Sequence, residues 1–164
     1  MQHADLSRLL ARELATLRDE LLAYADERSI WAQPNGVPNS AGTLALHMAG
    51  NLRWFIGTQL GATGHVRNRE EEFTMRDVPR AELIALVERT ADEVTRTLAT
   101  LDESAFDAPY PLPVGGLRVT TSRFLWHLEG HLAYHLGQVD YHRRIVTGNP
   151  APVGALSLVA LADR

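Results

Sequence analysis

The 164-residue chain contains no cysteine. This absence excludes disulfides, thiolate metal sites and a cysteine nucleophile in one step. Any bound metal must therefore be held by nitrogen or oxygen atoms. A reaction that needs a thiol would have to take it from a second substrate, because the chain has none to offer.

The sequence also lacks a basic cluster and a long apolar run. The net charge is −4 without a grouping of Lys and Arg, so there is no positive surface of the kind that nucleic-acid phosphates require. No uncharged run approaches the roughly 18 residues that a membrane span needs, and charged residues interrupt the first apolar positions. We expect a cytoplasmic protein that binds neither nucleic acid nor membrane.

Apolar residues recur at intervals of three and four in four stretches, and this spacing predicts four amphipathic helices. They extend from about residue 4 to 28, 40 to 60, 79 to 101 and 120 to 147. Asn39 or Ser40 can cap the second helix, and Pro79 suits the first position of the third. The Gly-Asn-Pro run that begins at residue 148 ends the fourth.

The connections after the second and third helices are long and irregular. The first, residues 62–78, contains the charged run Arg67–Glu72, which is most often a solvated surface segment. The second contains three prolines and the Gly115-Gly116 pair, which favours a small hairpin. The apolar tail 151–164 receives no assignment. Together these features predict one all-α domain over residues 1–164, built as a four-helix bundle.

Four of the seven histidines lie on the fourth predicted helix, within an arc of about 80°. His131 and His135 are one turn apart, a spacing that lets two imidazoles reach one metal ion from a rigid backbone. On the second helix, His47 shares its face with apolar residues and should point into the bundle. It is the natural third ligand. His127 could replace one ligand or lie at the mouth of a pocket, while His142 is too far along the helix.

An alternative interpretation is that these histidines are hydrogen-bonded packing residues, since an HxxxH pair alone is a weak signal. A metal would nevertheless offset the cost of crowding several imidazoles into an apolar interior, where each unpaired polar group costs about 1 to 3 kcal/mol. Glu129 lies near the opposite side of the helix from His131, so the pattern is not that of an HExxH metallopeptidase. His3 and His65 are expected to be exposed.

Two amides lie on the same stripes as the candidate ligands. Gln138 is about 20° from His131 around the helix, and Asn51 follows His47 by one turn. Either amide could orient a ligand or a substrate from outside the coordination sphere, and either could equally be a satisfied buried amide.

Three segments of the sequence resemble the DinB-like superfamily: Pro38–Trp54, Arg67–Phe73 and His127–Arg144. The resemblance implies a four-helix bundle, commonly dimeric, with one histidine from the second helix and an HxxxH pair from the fourth holding a metal. In this chain those positions are His47, His131 and His135. Members of the superfamily include thiol S-transferases that use bacillithiol, mycothiol or glutathione, and a maleylpyruvate isomerase.

Three nitrogen ligands leave a divalent ion with open coordination positions, an arrangement suited to catalysis. We therefore expect one divalent ion per chain, zinc, nickel or iron, that activates a small thiol to attack an electrophile. A hydrolase that uses metal-bound hydroxide is the first alternative, and a metal-stabilised dimeric binding protein without turnover is the second. The resemblance and the apolar stretch Val153–Leu161 also predict a homodimer.

Overall fold

The computed structural model describes residues 2–162 and, within them, the side chains of residues 4–159, 161 and 162. The helices are α1 (Gln2–Leu22), α2 (Glu27–Ile30), α3 (Ala41–Leu52), α4 (Gln59–Gly61), α5 (Arg69–Thr74), α6 (Arg80–Thr100), α7 (Glu103–Asp107) and α8 (Thr121–Thr147). A π-helix, Arg53–Thr58, joins α3 to α4, and a 3₁₀ turn covers Leu158–Leu161. None of these helices is long and apolar enough to cross a membrane.

The four long helices pack as a bundle, which confirms the predicted all-α architecture. Both α1 and α3 pack against α6 and against α8. Leucines at helical spacing on α1 are fully buried and form one wall of the core, namely Leu6, Leu10, Leu14, Leu17 and Leu21. The connections after the second and third predicted helices each contain a short helix, α5 and α7.

The first helix is shorter than its apolar pattern predicts. It ends at Leu22 rather than near residue 28, and a new helix, α2, begins at Glu27. The reason is a cap: the side chain of Asp26 accepts a hydrogen bond from the Ser29 N–H at 2.8 Å. A side-chain acceptor of this kind satisfies a free helical donor, and so it starts a second helix where the leucine pattern alone continues the first.

The second predicted helix has the expected extent but an unexpected interior. Ser40 caps α3 by accepting from the Thr43 N–H, and the helical path continues to Gly61. Between Arg53 and Thr58 the path is a π-helix. The backbone carbonyl of Phe55, within this segment, accepts a hydrogen bond from the Tyr110 hydroxyl at 2.6 Å. Periodicity did not predict this segment, because a single turn of π-helix within a longer helical path is too short for apolar spacing to distinguish from an α-helix.

The third and fourth predicted helices are confirmed. Pro79 takes the N-cap of α6, one position before the predicted one. Thr120 caps α8, and Gly148 ends it in the left-handed conformation at φ 68°. The predicted turn at Gly115-Gly116 closes two backbone hydrogen bonds between Val114 and Leu117, although residues 2–162 contain only isolated bridges and no strand.

A buried ion pair fixes α8 against α1. Arg143 and Glu20 are both fully buried and joined by a hydrogen bond, and Arg143 also donates to the carbonyl of Ala151. One residue before it, His142 accepts from the Tyr24 hydroxyl at Nδ1 and donates from Nε2 to the Ala32 carbonyl, each at 2.7 Å. Removing one partner of such a buried pair is costly, so these contacts hold α8 in one position.

The glycine at position 42 allows close packing between α3 and the ring of Trp31. A Cβ at Gly42 would lie 2.6 Å from that ring, whereas a Cβ at Gly130 on α8 would meet nothing within 4 Å. We predict that Gly42→Ala lowers the free energy of unfolding by about 1 to 3 kcal/mol through overpacking. The matched Gly130→Ala change should raise it by about 0.5 to 1 kcal/mol through helix propensity. Urea denaturation measures both, and equal effects would refute the packing argument.

Candidate metal centre

Three histidines from two helices converge on one point. His47 comes from α3, and His131 and His135 come from successive turns of α8. One ring nitrogen of each lies within 4.8 Å of the others. The Nε2 atom of His131 lies 3.2 Å from Nε2 of His47 and 3.1 Å from Nε2 of His135. The structure therefore brings together the three residues that the sequence singled out.

His47 is held in place by a carboxylate and an arginine. The Nδ1–H of His47 donates to Oε2 of Glu72 at 2.9 Å, and Arg67 donates to both oxygens of that carboxylate at 2.7 and 2.8 Å. Burial acts to raise the pKa of Glu72, but the hydrogen bonds from Arg67 and His47 hold that pKa below its ordinary value. Glu72 is therefore an anion that fixes the proton of His47 on Nδ1 and leaves Nε2 free to bind.

His135 is oriented in the same way by an amide. Its Nδ1–H donates to Oε1 of Gln138 at 2.8 Å, three residues further along α8. This contact leaves the Nε2 lone pair of His135 directed at the other two rings. Gln138 is exposed and contacts one of the candidate ligands. Asn51, four residues after His47 on α3, is buried. Its Oδ1 has no hydrogen-bond partner among the residues that the structure describes.

The third ring, His131, is neutral. Burial, together with the neighbouring rings of His135 and His47, lowers its pKa to about 4. Burial likewise lowers the pKa of His135. Neutral imidazoles are the form that binds metals.

The donor set fits a divalent cation. With the protons of His47 and His135 on Nδ1, His131 can supply at most one proton to two Nε2 contacts. At least one inward lone pair is then left without a donor in a half-buried site, and a cation bound between the three nitrogens would satisfy all of them. The cluster could hold a metal ion, and the residues present are those that such an ion requires.

The remaining histidines lie outside the cluster. His127 is exposed, and its ring stacks on that of Phe124 with the ring centroids 5.9 Å apart. Both nitrogens of His142 are engaged in the structural contacts described above. His65 was expected to be exposed but is half-buried, because the loop after α4 folds back and buries its Nε2. The side chain of His3 lies outside those described.

Sequence reasoning missed Glu72 and Arg67. The charged run that contains them was expected to be a solvated segment, yet Glu72 is only 7% exposed. The helix α5 turns this carboxylate back towards α3, and Gly50 leaves the space that it occupies, since a Cβ there would clash with its oxygen. A glycine in the middle of a helix costs about 1 kcal/mol relative to alanine. That cost at Gly50, together with the resemblance of Arg67–Phe73 to the superfamily, was the signal that this segment could have a role beside α3.

The bundle and its histidine cluster define a DinB-like protein. The family model described as mycothiol-S-transferase matches residues 5–148, and the chain belongs to this family. None of the curated proteins matches the chain significantly.

We predict that Glu72→Gln weakens the binding of a divalent ion by about 10- to 100-fold, because the amide loses the charge that fixes His47. Glu70→Gln is the matched control on the same short helix, where Glu70 is exposed. Competition with a chromogenic chelator measures both affinities. Equal affinities in the two variants would show that Glu72 does not support the site.

Proposed function

We propose that this protein is a metal-dependent thiol S-transferase that uses mycothiol as its thiol substrate. The observation that supports this most strongly is the convergence of three imidazole Nε2 atoms whose outer nitrogens, on His47 and His135, are already engaged. Membership of the mycothiol-S-transferase family supports the choice of thiol. The residues that we assign to the metal are His47, His131 and His135.

The absence of cysteine determines how the reaction must be organised. His47, His131 and His135 would hold a divalent ion on three neutral nitrogens, and such an ion would have open positions and would lower the pKa of a thiol that binds to it. In the proposed reaction the sulfur of mycothiol forms a bond to an electrophilic carbon of the second substrate. The bond from that carbon to its leaving group breaks, and the leaving group takes the electron pair. The thiol proton passes to solvent. The role of the protein is to position the reactants. Glu72 and Gln138 orient the rings of His47 and His135, and these rings would set the position of the sulfur.

The assignment is tested with metal-free protein reloaded in turn with zinc, nickel and iron, since three imidazoles suit each of these ions. Conjugation of mycothiol to 1-chloro-2,4-dinitrobenzene should require one of the ions and fall to the background rate in His131→Ala. Gly130→Ala, one residue away on α8, is the control. Conjugation by metal-free protein or by His131→Ala at the wild-type rate would contradict the proposal.

Two other outcomes of the same experiment would favour the alternatives. Ester hydrolysis that needs the metal, without thiol conjugation, would favour a hydrolase. Loss of folding on metal removal, with no turnover of either kind, would favour a metal-stabilised binding protein.

We also propose a homodimer. The tail beyond α8 presents large apolar side chains that the chain itself leaves uncovered: Leu156 is 67% exposed, Leu158 77% and Val159 85%. Contiguous exposed apolar side chains are typical of a contact surface. Sedimentation at micromolar concentration should show a species of twice the 18.2 kDa chain mass.

Leu158→Asp should shift that species towards the monomer, whereas Leu117→Asp, at a residue 68% exposed in the turn that follows Gly115-Gly116, should not. A wild-type protein that sediments only as the 18.2 kDa chain would refute the dimer.

A further inference from the structure

A cavity of about 450 Å³ opens beside His135. One wall is the loop between α2 and α3, at residues 36–39, and the other is the outward face of α8. Both His135 and its partner Gln138 line it, so the cavity reaches the histidine cluster. Its volume lies in the range of pockets that enclose small molecules.

The walls of the cavity are apolar and aromatic. The side chains that give it this character are Val37, Pro38, Leu44, Tyr134, Tyr141 and Ile145. Among the described residues that line it there is no Asp, Glu, Lys or Arg. A ligand with a carboxylate or a phosphate would find no counter-charge here, and burying such a group unpaired is costly.

Several polar groups on the walls are already used. Both ring nitrogens of His142 are hydrogen-bonded within the protein, and Oε1 of Gln138 accepts from His135. A polyhydroxylated ligand such as a sugar thiol would need many partners in this space, and each unpaired hydroxyl would cost free energy. The polar groups that remain on the walls are the Asn39 side chain, Nε2 of Gln138 and the hydroxyls of Tyr134 and Tyr141. These are few for a polyhydroxylated group, so the cavity suits an apolar ligand better than the sugar part of mycothiol.

We infer that the cavity binds the electrophile of the transfer reaction, and that this electrophile is a neutral, largely apolar molecule with an aromatic ring. The inference rests on the proposed function, because it assigns the second substrate of the same site. Tyr134 and Tyr141 are 66% and 69% exposed, and they offer ring surfaces against which an aromatic substrate can pack. A substrate seated there presents its reactive carbon towards His135, where the sulfur attacks and the leaving group departs with its electron pair.

Binding of N-phenyl-1-naphthylamine, a neutral and unreactive fluorescent probe, tests the cavity without turnover. The metal-loaded wild-type protein should bind it saturably, and Tyr141→Ala and Ile145→Asp should each weaken binding by about 10-fold. Trp126→Ala is the matched control: it removes an aromatic side chain, 42% exposed, from the same helix but outside the cavity. This control should bind as tightly as the wild type.

The conjugation assay supplies a second measurement. Tyr141→Ala should raise the KM for 1-chloro-2,4-dinitrobenzene by about 10-fold and leave the KM for mycothiol and the metal content unchanged. A rise in the KM for mycothiol alone, or displacement of the probe by methyl N-acetylglucosaminide, would assign the cavity to the sugar thiol and overturn the inference. Equal probe binding in Tyr141→Ala and Trp126→Ala would also overturn it.

The two proposals fail separately. Probe binding that depends on Tyr141, in a protein that conjugates no thiol with any metal, would overturn the proposed function and support the apolar character of the cavity.

Discussion

The arrangement on which the site depends is the hydrogen bond made by the outer nitrogen of each of two histidines. Because Nδ1 of His47 donates to Glu72 and Nδ1 of His135 donates to Gln138, both Nε2 lone pairs point at His131. Lone pairs gathered in this way repel one another unless a cation or a shared proton lies between them. Residues outside the cluster, Glu72 and Gln138, therefore create this repulsion, and a divalent ion bound between the three rings would relieve it.

Contacts elsewhere in the bundle fix the positions of the three histidine rings. Two of the three histidines lie on α8, and that helix is locked by the buried pair of Arg143 and Glu20 and ended at Gly148. On the opposite side, Gly50 lets Glu72 approach α3 closely enough to reach His47. The buried pair thus positions the helix that carries two of the rings, and Gly50 makes room for the carboxylate that holds the third. The apolar cavity lies along the outward face of α8.

Periodicity predicted the parts of the structure that local spacing determines. The one-turn separation of His131 and His135, and the inward face that holds His47, follow directly from helical geometry. The contact between Glu72 and His47 could not be predicted from local spacing, because the two residues are 25 positions apart. The path of the loop that brings them together is not apparent from the charged run. The predicted extent of the first helix was wrong for a related reason. The apolar pattern continues past Leu22, but the side chain of Asp26 caps a new helix there.

Equilibrium dialysis against a divalent metal tests most directly our proposal that these three imidazoles hold one ion. The wild-type chain should bind one ion, and a variant carrying His47→Ala, His131→Ala and His135→Ala should bind none while its circular dichroism stays helical. Stoichiometric binding by that folded triple variant, or no binding by the wild type, would contradict the account.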